Sequence, residues 1–357
     1  MALNKTHLCY ATPYKNQTDT RKVMSSNKHL AIYYTGGTIG MKPTATGLAP
    51  ATDLATLAAP VLKEFSDQLS YEWFLAEPLI DSSAVTLSDW IKWLQWLDEQ
   101  IHNHDGILIL HGTDTMAYTA NILAMARPQL HKPIILTGAQ HPFSAENSDA
   151  GLNLRTALAA FTLPALQQTV IAFDGHLWPA IGSSKISTEK TAGFANPHFG
   201  SLAHWSAING WTDTQFSDNY LQMIGSIPYQ IDPAVRIHCF TLAPGANADM
   251  IAYSLIHNPP DGIILQSYGN GNTPDNPQLM YAIKQIGQNN IPILNISQVA
   301  QGNSTSIYAQ GHALRQAGVI NAGKCNLETA LALLTLAVSN HWSKEQIINV
   351  LRQYALI

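Results

Sequence analysis

Ala31-Ile32-Tyr33-Tyr34-Thr35-Gly36-Gly37-Thr38-Ile39-Gly40 sets an apolar, β-branched and aromatic run directly before two glycines and a threonine. Such a run reads as a buried strand ending in a tight turn, with a hydroxyl delivered at the strand's carboxyl end. Gly106-Ile107-Leu108-Ile109-Leu110-His111-Gly112-Thr113-Asp114-Thr115 repeats the pattern, now with a carboxylate beside the threonine. In an open parallel sheet, the carboxyl ends of strands converge on the crevice where ligands bind. Two threonines brought to one crevice are candidate site residues.

Working outward, residues 41–52 are rich in Thr, Pro and Gly and end in Gly47-Leu48-Ala49-Pro50, which suits a mobile lid. A strand over 73–80 runs into Asp81-Ser82-Ser83. Thr86 or Ser88 then opens a helix in which Trp90, Trp93, Leu94, Leu97 and Ile101 share one face, a pattern of core residues. Strand 106–111 leads to helix 115–127, strand 133–138 to helix 148–161, and a further strand covers 169–174. Short apolar strands without alternation, separated by helices, predict a parallel sheet covered on both faces.

The rhythm breaks over 200–230. A second α/β unit follows: strand 235–241, helix 248–257, strand 262–268 into Gly269-Asn270-Gly271-Asn272, helix 276–288, strand 292–297 and two closing helices. The last helix starts at the capping box Ser343-Lys344-Glu345-Gln346. The expected class is α/β with two α/β domains, a larger N-terminal one with a mostly parallel sheet and a smaller C-terminal parallel-sheet one. The expected boundaries are a polar extension over 1–28, the N-terminal domain over 29–204, a linker over 205–230 and the C-terminal domain over 231–357.

A chain of 357 residues is long for a single core, which agrees with two domains. A formal charge of −5 without basic clusters argues against nucleic acid as a partner. Cys9, Cys239 and Cys325 are odd in number and far apart, which fits a reduced, cytoplasmic setting. The first 28 residues contain no apolar run of signal-peptide length, and no run is long enough to span a membrane.

A threonine hydroxyl attacks only when a base removes its proton and donors receive the oxyanion it creates. Gly36 and Gly37 allow close approach of backbone amides to a substrate. Thr38 is the first nucleophile candidate and Thr113 the second, with Asp114 placed to orient a lysine base or bind an ammonium group. His102-Asn103-His104-Asp105 reads as a helix-end loop near the negative end of the dipole, not as a metal site. His111 reads as a packing or hydrogen-bonding group beneath the second turn.

Thr35-Gly36-Gly37-Thr38-Ile39-Gly40 and His111-Gly112-Thr113-Asp114-Thr115-Met116 together resemble the two signature motifs of the asparaginase/glutaminase family. Asp81-Ser82-Ser83, Pro244-Gly245 and Asn270-Gly271-Asn272 follow at the family's order and spacing, and the likeness is greatest to bacterial type I, cytoplasmic members. The resemblance implies hydrolysis of L-asparagine, or L-glutamine, to the acid and ammonia through an acyl-enzyme, with no cofactor and no metal. It implies Thr38 as the attacking residue, and Thr113, Asp114 and Lys185 as a second triad, with Lys190 as the competing lysine. Gly37, Ser82, Ser83 and Asp114 match substrate-binding positions. Asn272 matches an asparagine contributed by a neighbouring subunit, which implies a homodimer or a dimer of dimers.

Three departures stand out. Leu48 occupies the position of the lid tyrosine that polarises the attacking threonine in relatives, and Tyr33 and Tyr34 lie in the strand. No acidic residue stands over 303–307, where periplasmic relatives carry one from the partner. Val299 replaces the effector-site cysteine of type I relatives. A non-catalytic amino-acid-binding or regulatory protein, or a related amidase, is the alternative.

Overall fold

From Leu30 onward β1 (Lys28–Gly36) is buried at every position, as a strand covered on both faces must be. The computed structural model that contains it describes residues 27–44, 47–216, 229–305 and 309–357. Most of the expected extension lies outside these residues, and Lys28 already belongs to β1. The stretch read as a lid loop is a hairpin of β2 (Met41–Thr44) and β3 (Gly47–Pro50), whose tip also lies outside the described residues.

α1 (Leu54–Glu64), β4 (Leu69–Ile80), α2 (Leu87–Gln100), β5 (Gly106–Leu110) and α3 (Met116–Ala126) follow in turn. β6 (Ile134–Thr137), α4 (Ala150–Ala160) and β7 (Thr169–Phe173) complete the parallel region. Its strands lie in the order β4-β1-β5-β6-β7. β1 connects onward to β4 on one side, whereas β5 connects onward to β6 on the other. Connections leaving in opposite directions open a crevice between the carboxyl ends of β1 and β5, where the two threonine turns emerge.

β8 (His176–Pro179) returns antiparallel to β7, and β9 (Ser184–Lys185) pairs with β10 (Phe194–Ala195) in a separate ribbon. β11 (Ala203–Ser206) and β12 (Gly210–Thr212) then extend the large sheet at the β8 side. This corrects the expected linker over 205–230, whose first residues belong to the last two strands at one side of the large sheet, β12 being the edge. Three- and four-residue strands are too short to show a period of two, which is why the stretch reads as irregular. Residues 217–228 lie outside the described residues.

The second domain runs through β13 (Ile237–Thr241), α5 (Asn247–His257), β14 (Gly262–Ser267), α6 (Pro277–Gln288) and β15 (Ile293–Ser297). α7 (Ala309–Gln316), β16 (Ile320–Asn321), α8 (Leu327–Ser339) and α9 (Lys344–Gln353) close the chain. Its four-stranded sheet is parallel in the order β13-β14-β15-β16. α7 and β16 are additions to the two closing helices expected.

The expected tryptophan face of α2 is core: Trp90, Trp93, Leu94, Leu97 and the following Ile101 are all buried. Thr86 caps that helix, its backbone N–H donating to Asp89 Oδ2 at 2.9 Å. The same core cluster holds Ile109 of β5, Ile122 of α3, Leu333 of α8 and Ile264 of β14. α8 therefore packs both on α3 and on the small sheet, and the two domains share one apolar interior.

Candidate active site

The two glycine turns meet backbone to backbone. A methyl group on Gly37, at φ 88°, would lie 2.2 Å from Gly112 Cα, and one on Gly112 would lie 2.5 Å from Ser82 Oγ. Only glycine at both positions permits this approach. Below it, Thr35 Oγ1 donates to Leu110 O at 3.1 Å, and Thr115 Oγ1 donates to Ser82 O at 2.8 Å. The ends of β1, β5 and β4 are thereby fastened together, and Ser82 is buried while Ser83 is exposed.

Lys185 Nζ donates to Thr113 Oγ1 at 2.8 Å and to Asp114 Oδ1 at 2.7 Å. Thr113 is buried and the Lys185 side chain is only 16% exposed, whereas Asp114 is 57% exposed. The carboxylate thus orients the lysine with one oxygen and still faces the open crevice. Lys190 makes no such contact: its backbone N–H donates to Ser187 Oγ, and its carbonyl accepts from Gln140 Nε2 at 3.4 Å.

Thr38 opens a single 3₁₀ turn, Thr38–Gly40, directly after Gly37, and is partly exposed. Among the described residues its hydroxyl has no hydrogen-bond partner. Neither strand tyrosine supplies one. Tyr33 stacks on Trp96 with ring centroids 3.9 Å apart. The Tyr34 hydroxyl lies beneath Gly40 and, among the described residues, is without a partner. Burial, with Asp53 adding a smaller effect, pushes the Tyr34 phenol up to about 12.

His111 is fully buried beneath the second turn. Its Nδ1 faces Gly112 O at 2.7 Å, and a carbonyl can only accept, so Nδ1 carries the proton. Nε2 is then an acceptor for Thr119 Oγ1 at 3.0 Å, and Trp90 Nε1 donates to that same hydroxyl at 3.0 Å. Burial holds the imidazole neutral, down to about 4, against the opposing effect of the Gly112 contact. The histidine fixes the Gly112 peptide that precedes Thr113.

Two sets of residues join the site without having been expected. Gln140 Oε1 stands 3.5 Å from Thr113 Oγ1, and Gln140 Nε2 donates to Ser187 O at 2.8 Å. Its signal was present in Ile134-Ile135-Leu136-Thr137-Gly138-Ala139-Gln140, a third strand running into glycine. The second set comes from the N-terminus of α8. Asn326 Nδ2 donates to Ser183 O and Ser184 Oγ, Ser184 Oγ donates to Glu328 Oε2, and Gly182 N donates to Thr329 Oγ1, all at 2.8–3.0 Å. Thr329 Oγ1 donates in turn to Asn121 Oδ1 of α3 at 2.7 Å. These contacts hold the segment that presents Lys185.

Asn272 follows β14 in the second domain. It closes a turn in which its N–H donates to Tyr268 O and its carbonyl accepts from Tyr268 N, both at 2.9 Å. Among the described residues no hydrogen bond joins it to Thr113, Asp114 or Lys185.

A family model described as Asparaginase, N-terminal matches residues 29–216, and one described as Glutaminase/Asparaginase C-terminal domain matches residues 236–351. The chain is 30% identical to L-asparaginase 1 of Escherichia coli strain K12 over 333 residues, 91% of this chain and 96% of that protein. It is 28% identical to the 60 kDa lysophospholipase of Mus musculus over 340 residues, which spans 88% of this chain but 59% of that protein. The crystal structure of L-asparaginase I from Vibrio cholerae superposes with a TM-score of 0.78 at 30% identity, covering 92% of this chain and 97% of that one.

Proposed function

The chain belongs to the asparaginase/glutaminase family, and from that premise we propose that it hydrolyses L-asparagine to L-aspartate and ammonia through a threonine nucleophile. The observation that carries this reading is Lys185 Nζ, held between Thr113 Oγ1 and Asp114 Oδ1. Thr38 Oγ1 attacks the side-chain amide carbon, forming a C–O bond as its own proton passes to the amide nitrogen, and amides of the Gly36-Gly37 turn receive the oxyanion. Collapse of that adduct breaks the C–N bond and releases ammonia once the nitrogen is protonated. Water then attacks the threonyl ester and frees aspartate. Thr113 and Lys185 form the line along which protons move. The free side of Asp114 takes the substrate ammonium, and Ser82 and Ser83 lie towards its carboxylate.

A specific observation favours a second order of events. Lys185 touches Thr113, whereas the Thr38 hydroxyl has no partner among the described residues, so Thr113 is the better prepared nucleophile. Ammonia release by Thr38→Ala, Thr113→Val and Lys185→Met tests both. Loss of the lysine should lower kcat by about 10²–10⁴-fold, and an undiminished rate removes that residue from the mechanism. Intact mass spectrometry of quenched reactions shows which threonine variant still carries an acyl group.

Turnover across asparagine, glutamine and small amides assigns the substrate. Calorimetric binding of asparagine without ammonia would instead support a binding protein, and rescue of turnover by Leu48→Tyr would identify the missing lid group. A cytoplasmic setting and a homodimer or dimer of dimers belong to the same proposal. No helix among the described residues is long and apolar enough to cross a membrane.

A further inference from the structure

The opposite end of β1 carries a second cluster. His29 is the second residue of β1, Glu72 lies in β4, and His104 lies in the turn between α2 and β5. All three gather at the amino ends of the strands. Seven residue steps along the strand lead from His29 to Gly36, so about 23 Å lies between this cluster and the threonine turns. His29 Nε2 is 3.5 Å from Glu72 Oε1, His104 Nε2 is 3.8 Å from Glu72 Oε2, and the three ligand atoms all lie within 4.8 Å of one another.

Hydrogen bonding decides which nitrogens are free. His104 Nδ1 faces Gln100 O at 2.9 Å, so it carries the proton and leaves a lone pair on Nε2. That Nε2 is buried and without a hydrogen-bond partner among the described residues, in a side chain only 2% exposed. A buried acceptor left unpaired is costly unless something fills its lone pair. A backbone carbonyl on the far nitrogen of a histidine is also the usual outer support of a metal-bound imidazole. His29 Nδ1 lies 3.0 Å from Ser70 Oγ, which leaves Nε2 as the ring nitrogen that faces Glu72.

We propose that His29, Glu72 and His104 form a binding site for a first-row divalent transition-metal ion of the zinc class. Two imidazoles and a carboxylate suit such an ion, with water in the remaining position. His104 is the fixed member: its ring stacks on His29 with centroids 4.9 Å apart and meets the edge of Phe74 at 6.0 Å. Lys132 Nζ also holds its loop by donating to Ile101 O and His104 O, both at 2.8 Å. Ligand bonds of about 2.0–2.2 Å bring two donor atoms to within roughly 4 Å of each other. The exposed Glu72 and the half-exposed His29 close that gap by small side-chain movements. The ion would tie β1, β4 and the α2–β5 turn together at the end of the sheet remote from the threonines.

The sequence of 102–105 reads as a helix end alone because the other two ligands belong to distant strands. His102 does not join the cluster. The test uses tag-free protein dialysed against chelator, then titrated with Zn²⁺ calorimetrically and with Co²⁺ by visible absorption. One ion per chain, with the intense absorption of a low-coordinate Co²⁺ site, is expected for the wild type and for His102→Ala. Glu72→Gln, an exposed change that leaves the core intact, and His104→Asn should both lose it. Equal binding by wild type and Glu72→Gln, or no binding by wild type with Zn²⁺ in micromolar excess, overturns the proposal.

Discussion

His111 shows how a residue beside the chemistry is kept out of it. The imidazole is wedged between the Gly112 carbonyl and the Thr119 hydroxyl, and Trp93 meets it edge-on at 5.2 Å. Protonating Nε2 would set a donor against a hydroxyl already receiving Trp90 Nε1, in a site without water's dielectric. With a folded value of about 4 against the ordinary 6.5, the unfolded chain binds the proton first as pH falls. Stability from this residue is therefore intact above pH 6.5 and drains away between 6.5 and 4, by about 3 kcal/mol in all. The ring resonances of His111 should stay unshifted from pH 7 to 5. Movement with a midpoint near 6.5 would show that the ring is not held neutral.

At the scale of elements, the segment bearing Lys185 is an inter-domain structure. β9 is two residues long and, among the described residues, pairs only with β10, so its own hydrogen bonds cannot fix a lysine in the crevice. The N-terminal turn of α8 does so from the second domain, through Asn326, Glu328 and Thr329. Glu328 is sufficiently buried that its carboxyl is pushed above the ordinary range, partly offset by its own backbone N–H and the Ser184 hydroxyl. Glu328→Gln keeps an acceptor for Ser184 and should hold kcat within about threefold, since the hydrogen bond that holds Ser184 is retained. Glu328→Leu removes the acceptor and should lower kcat about tenfold with KM little changed, as expected from loss of roughly 1.4 kcal/mol in positioning. Equal rates for the two variants would mean that α8 only packs.

The same elements explain what could be read in advance. β1 and β5 are uninterrupted apolar runs closed by glycine, and α2 has an unbroken 3.6-residue face, so local pattern and final environment agree. α1 is harder, because Pro60 sits inside the helix and argues against it, although Leu54, Ala58, Val61 and Leu62 are buried on one side. Gln140 follows the strand-then-glycine pattern and was legible. The Ser184–Glu328 contact was not, because it joins residues of different domains, and neither carries a local signature.

For the whole molecule, the decisive question is whether one chain completes the site. The shared core places α8 against α3, and Arg127 fastens the entry to the second domain through Asp98 at 2.6 Å and Tyr229 O at 2.7 Å. Within this frame Asn272 keeps its Oδ1 buried without a hydrogen-bond partner among the described residues. A residue that the family resemblance ties to the substrate, yet not hydrogen-bonded to Thr113, Asp114 or Lys185 of its own chain among the described residues, fits a site completed across a two-fold axis. Light scattering should then report a dimer or larger, and Asn272→Ala should lower activity as Thr113→Val does. Mixed, refolded subunits separate the arrangements. A chain with Thr113→Val supplies Asn272, and a chain with Asn272→Ala supplies Thr113, so each heterodimer regains one intact site. Random pairing of equal amounts should restore about one quarter of wild-type activity if Asn272 reaches across the interface. Were Asn272 to serve its own chain, the mixture would stay as inactive as its parents.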